Sequence, residues 1–167
     1  MARAPATAAS GLQFMVDQIG EVYGIEQIVL HAEQDLASRT TDADFRSHLE
    51  RFVAEDQQHI ENLRQALRMM IGAETGVQTS IDRGRRLGEA VLGASQDTAF
   101  RFIRGLLLLV FQTAMDGRIF IQVQQCVENR EIIGLLETNH HQDESHLRYL
   151  ESQVVRASEE LSGLVTR

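Results

Sequence analysis

The chain has 167 residues, a formal net charge of −8 and one cysteine, Cys126. That length suits one domain with a sizeable core, and the lone cysteine excludes a disulfide framework or a cysteine-based zinc motif. The acidic balance argues against a nucleic-acid partner, because phosphate neutralisation needs clustered positive charge; the one basic cluster, Arg83, Arg85 and Arg86, reads as a solvated helix face.

Residues 1–11 lack the apolar stretch of a signal peptide and read as a flexible N-terminal tail, leaving 12–167 as a single domain. No proline follows Pro5, and Leu, Ala, Glu, Gln and Arg dominate, a composition that favours helix. The first helix is expected over about 12–38, with an inward seam of Met15, Ile19, Val22, Glu26, Val29, Glu33 and Leu36. A short turn follows, where Thr41 and Asp44 have the spacing of a capping box. The second helix, about 43–71, carries Phe45, Leu49, Phe52, Asp56, His59, Leu63, Ala66 and Met70 on one seam. Glycines at 72, 76, 84, 88 and 93 mark a long link with a short helix near 81–92. The third long helix, about 97–127, presents Phe102, Leu106, Leu109, Thr113, Asp116, Phe120, Val123 and Val127. The last, about 130–163, presents Ile132, Leu136, Asn139, Asp143, His146 and Leu150.

Two short turns flanking one long connection predict an all-α, ferritin-like four-helix bundle with a long crossover between its second and third helices. An internal repeat agrees with it. A shift of 87 residues superposes Leu49 on Leu136, Asp56 on Asp143, His59 on His146 and Leu63 on Leu150 without gaps.

The chemistry sits on these seams. Burying an unpaired charge costs several kcal/mol, roughly, unless something neutralises it. Residues equidistant from an antiparallel turn share a height, which sets Glu26 level with Asp56, and Thr113 level with Asp143. Asp116 lies one turn further along the Thr113 seam. Glu26, Asp56, His59, Asp116, Asp143 and His146 therefore form the candidate metal-ligand layer: carboxylates neutralise and bridge cations, and neutral imidazoles add nitrogen donors. The bare acid-x-x-His spacing has little value, since chance gives about one match in such a chain, and Glu137/His140 is an off-seam example. Placement on four seams is what carries weight. A metal-free reading makes the same layer a hydrogen-bond network that fixes helix register.

These residues resemble the ferritin-like di-iron carboxylate superfamily. Within it, the stretches Tyr23–Leu30, Phe45–Glu50 and His59–Leu63 are similar to the bacterial YciE/YciF-type stress-associated family. The resemblance implies iron, or alternatively manganese, in a site for one or two ions, with oxygen or peroxide as co-reactant and oxidase or ferroxidase-type activity. By it Glu26 takes the first-helix carboxylate role, Asp56 and His59 the second-helix pair, and Asp143 and His146 the last-helix pair. The chain departs from the family in having Asp where both pairs carry Glu, and Thr113 where the third long helix carries an acid. Glu55 and Glu144, beside the two Asp residues, are alternative ligands.

The alternative function is a metal-free helical dimer that serves as a structural or stress-associated interaction protein. The third long helix is apolar all round between Leu106 and Phe111 and again at Ile119–Ile121. It needs cover on every side, which predicts a homodimer at least. That apolar run falls well short of the roughly 20 residues of a membrane span, so a cytoplasmic protein without a membrane partner is expected.

Overall fold

A computed structural model of the chain describes residues 8–71, 77–93 and 98–165. They form α1 (Ala8–Arg39), α2 (Ala43–Ile71), α3 (Gln78–Leu92), α4 (Thr98–Cys126) and α5 (Arg130–Val165), with no strand among the described residues. The all-α expectation holds. α1 begins inside the segment read as a tail, and α3 starts three residues before the expected short helix. Residues 1–7 of that tail, and Gly72 and Gly76 of the link, lie outside the described residues.

The first turn corrects one detail. The cap of α2 is Asp42, not Thr41: Asp42 Oδ1 accepts the backbone N–H groups of Asp44 at 3.0 Å and Phe45 at 3.1 Å. Its Oδ2 accepts from Arg156 Nη1 at 3.0 Å, which ties the turn to α5. Asp42→Ala will therefore lower the midpoint of chemical unfolding; an unchanged midpoint would assign the cap no energetic role. At the other turn Asn129 Oδ1 accepts from the N–H groups of Glu131 and Ile132 and starts α5.

α1 packs on α2, α3 and α4, and α5 packs on α2 and α4. The pairs Tyr23–Arg64 and Glu26–His59 show α1 and α2 running antiparallel. Glu26–Gln112 and Leu36–Gly105 show the same of α1 and α4, so α2 and α4 point one way. α3 lies parallel to α1, with Gly20 beside Ser80, Gly24 beside Ile81 and Gly88 beside Ile28. At two of these points no side chain separates the backbones: a Cβ on Gly24 would stand 2.1 Å from Ile81 O, and one on Gly84 1.9 Å from Glu21 O.

The interior has two apolar clusters. One gathers Met15–Tyr23, Leu63, Leu67, Ile119, Val123, Ile132 and Leu136; the other gathers Ile25–Leu36, Phe45–Phe52, Leu106–Leu109 and Leu150. Along α2, α4 and α5 the buried polar residues Asp56, His59, Asp116, Asp143 and His146 lie between them, and on α1 Glu26 follows Ile25 at the start of the second. α4 contains a stretch, Phe102–Cys126, long and apolar enough to cross a membrane by length and composition. Here half of its most apolar window is inside the fold, and Gln112, Thr113 and Asp116 on it are buried. Leu107 and Ile121 on the same helix remain exposed.

Candidate metal centre

Each long helix delivers its polar residue at mid-length, where helical spacing repeats the inward face every three or four residues. Glu26 on α1, Asp56 and His59 on α2, Asp116 on α4 and Asp143 and His146 on α5 are all buried. The structure brings five of the six together. His59 Nδ1 lies 3.4 Å from Asp56 Oδ1, 3.6 Å from Asp143 Oδ1 and 3.7 Å from Glu26 Oε1. Oxygens of Glu26 and Asp56 and a ring nitrogen of His59 fit within 4.8 Å of one another.

The other ring nitrogen, His59 Nε2, is 2.8 Å from Gln142 Oε1 and donates to it. That places the proton on Nε2 and leaves a lone pair on Nδ1, aimed among three carboxyl groups. Burial lowers the His59 pKa to about 4, so the ring stays neutral. His59 Nδ1, Glu26 Oε2, Asp56 Oδ2 and Asp143 Oδ2 are buried and have no hydrogen-bond partner. An unpaired buried acceptor costs about 1–3 kcal/mol, and residues of this one layer carry four of them.

The carboxyls respond to the same environment. Burial first, and then the charge of Asp116, raises Asp56 to about 8. Burial raises Asp116 to about 6, against the lowering effect of its hydrogen bonds to Glu26, Asp143 and Gln112. Glu26 and Asp143 are held well above the ordinary range, by burial and then by the neighbouring aspartates. Without a cation the layer therefore retains protons at neutral pH.

Asp116 reaches the layer through a residue that the seam analysis passed over. Gln112 Nε2 donates to Glu26 Oε1 at 2.7 Å and to Asp116 Oδ2. Its signal was present: Gln112 is four residues before Asp116 and ends the apolar run at Phe111. Thr113, set level with Asp143 by the turn geometry, instead donates to Leu109 O of its own helix at 2.9 Å. Asn62 and Asn139 were also missed as a pair. Asn62 Nδ2 donates to Asn139 Oδ1 at 2.7 Å, and Asn139 Nδ2 to His59 O at 3.3 Å, locking α2 to α5.

His146 is the sixth residue, and it stands apart. Its Nε2 is 2.6 Å from Glu55 Oε2, and its ring stacks on Phe52 with centroids 3.8 Å apart. Burial lowers its pKa to about 4, helped by Arg51. Glu144 is exposed and lies near His140, away from the layer. Tyr23 directs its hydroxyl to Arg64, which donates to it at 3.0 Å. The basic cluster is matched by acids: Arg83 pairs with Glu21 and Arg85 with Asp82.

A neutral imidazole lone pair, carboxyl oxygens without donors and a buried setting fit a divalent ion with mixed nitrogen and oxygen ligands. Comparison with protein-family models, curated proteins and solved structures returned no match to this chain.

Proposed function

We propose that the chain is a ferritin-like four-helix bundle, with α3 on the crossover between α2 and α4, that binds iron or manganese between its helices. Glu26, Asp56, His59 and Asp143 would hold the ion, with Asp116 and Gln112 closing the layer. The observation that carries this reading is the His59 Nδ1 lone pair, buried without a donor and 3.4–3.7 Å from three carboxyl oxygens. A bound iron or manganese ion supplies one-electron chemistry toward oxygen or peroxide. The residues themselves exclude water, set the ligand geometry and exchange protons: loading displaces protons from Glu26, Asp56 and Asp143, so affinity rises with pH. Exposed Leu107 and Ile121 on α4 support the accompanying proposal of a homodimer joined through this helix.

Elemental analysis after expression in iron- and manganese-supplemented medium tests the reading. The expected result is about one equivalent or more of metal per chain, lost in an Asp56→Ala/His59→Ala double variant. Trace metal that the double variant leaves unchanged would sink it. If metal is present, mixing the Fe(II) protein with oxygen and following ferric absorption tests the oxidase activity.

One observation favours a second reading. Gln112 already bridges Glu26 and Asp116, and the Asn62–Asn139 pair fixes α2 against α5. A protonated, metal-free layer of this kind specifies register in a helical dimer that acts as a structural or stress-associated partner. Full stability in the presence of a chelator is what this reading requires.

A further inference from the structure

The His59 layer is not sealed equally on all sides. Between α1 and α4 it is covered by Gln112, and between α1 and α2 by Glu33, which shares a hydrogen bond with Asp56; both are buried. Two of its polar neighbours are partly exposed, Glu55 on α2 and Gln142 on α5, and both lie where α2 meets α5. Side-chain exposure falls in steps inward from that contact. It is 56% at Arg51, 23% at Glu55, 5% at His146 and zero at His59. The members of this series are held to different degrees. His146 is fixed by its stack on Phe52, with centroids 3.8 Å apart. Glu55 is held more loosely: Arg51 Nε stands 3.8 Å from its Oε1. Its Oε2, though 2.6 Å from His146 Nε2, is buried without a hydrogen bond.

We propose that the α2–α5 contact is the entry route for divalent cations, and that Glu55 is the carboxylate that receives them there. Glu55 belongs to the route and not to the ion site. One of its oxygens faces the solvent side with Arg51, the other the interior beside His146, so the side chain spans the boundary. A carboxylate at the mouth of a low-dielectric interior raises the local cation concentration and the rate of entry. It also offers an oxygen ligand before the ion has lost its water, which lowers the cost of dehydration. Arg51 acts in the opposite sense, since its charge stands at the same mouth and repels an arriving cation. Because His146 is pinned by Phe52, Glu55 is the part that swings aside. This inference rests on the metal reading of the His59 layer.

Rapid mixing of the metal-free full chain with manganese, followed by the fall in the paramagnetic resonance signal of the free ion, measures loading. Elemental analysis after dialysis against manganese gives the amount held at equilibrium. Native chain, Glu55→Gln and Arg51→Gln should hold equal amounts. Loading should be about tenfold slower in Glu55→Gln, and faster than native in Arg51→Gln. Added salt should slow the native chain more than Glu55→Gln. Asp82→Asn removes the same charge from α3, where Asp82 pairs with Arg85, and should load at the native rate. Loss of the ion in Glu55→Gln makes Glu55 a ligand and overturns the route. Native rates in both Glu55→Gln and Arg51→Gln, or equal slowing by Asp82→Asn, overturn the route and leave the ion site intact. A native chain that holds no ion overturns the site itself, and the route with it. Should Glu55→Gln fail to fold, Arg51→Gln, at a mostly exposed position, carries the test through its faster loading.

Discussion

Gly84→Ala is expected to destabilise the protein by about 3 kcal/mol in chemical unfolding, and Gly24→Ala by a similar amount. In both cases the new methyl meets a backbone carbonyl, Glu21 O or Ile81 O, not the end of a movable side chain. Relief requires α1 and α3 to part along their length. That opens the contact that holds the α2–α4 link against the bundle and uncovers Val77 and Ile81, both buried. Two internal controls make the result specific. Gly11 and Gly134 also lie in helices, but a Cβ there meets nothing within 4 Å. Alanine at these sites should be neutral or stabilising by up to about 1 kcal/mol, the helix-propensity gain. Similar losses at Gly84 and Gly134 would show that the close approach of α1 and α3 has no energetic consequence.

The second large effect is a reversed pH response. Asp56 titrates at about 8 when folded and near 3.9 in an unfolded chain, so between these limits the folded state binds more protons. Stability contributed by its protonated form is therefore present at low pH and lost as pH rises towards 8. His59 and His146 act in the other sense. Their folded values of about 4 lie below the free value near 6.5, so stability rises with pH across that interval. The two trends oppose below about pH 6.5, and only the carboxyl term acts above it. Metal-free protein should lose at least about 5 °C in Tm between pH 6.5 and 8.5. Manganese should abolish or invert the slope, since the cation takes the place of the protons. Metal-free Asp56→Asn should melt higher than native at pH 8 and show a flatter profile. Calorimetry across this interval with chelator and with manganese checks all three; a flat native profile in chelator would refute the buried-acid account.

The helices were legible because nothing in the chain competes with them after Pro5, and because their apolar spacing persists over many turns. Equidistance from the turn was enough to place Glu26 beside Asp56, and the structure sets both against His59. The same reasoning misplaced emphasis on Thr113. Spacing gives the height of a residue on a helix but not its partner, and a threonine hydroxyl in a helix finds its own i−4 carbonyl. Gln112 was passed over because an amide does not carry the charge that drew attention to the acids. His146 shows a further limit. Its seam position is as central as that of His59, yet it meets Glu55 across the α2–α5 contact, and no one-dimensional pattern records which residue of a neighbouring helix a side chain will meet. The α1–α3 contact was hidden for another reason: its glycines were read as markers of a link, whereas Gly84 and Gly88 lie inside a helix and act by what they leave out.

Gln112 has a consequence for how the layer can change state. A carboxyl must gain or lose a proton to pass from donor to acceptor, and in this buried layer that proton needs somewhere to go. An amide changes by turning over. With its nitrogen inward, Gln112 feeds hydrogen bonds to Glu26 and Asp116; turned by half a rotation, it offers an oxygen to whatever positive charge stands there. One uncharged side chain thereby suits both a protonated interior and a cation-filled one, and α4 need not move for the layer to serve either.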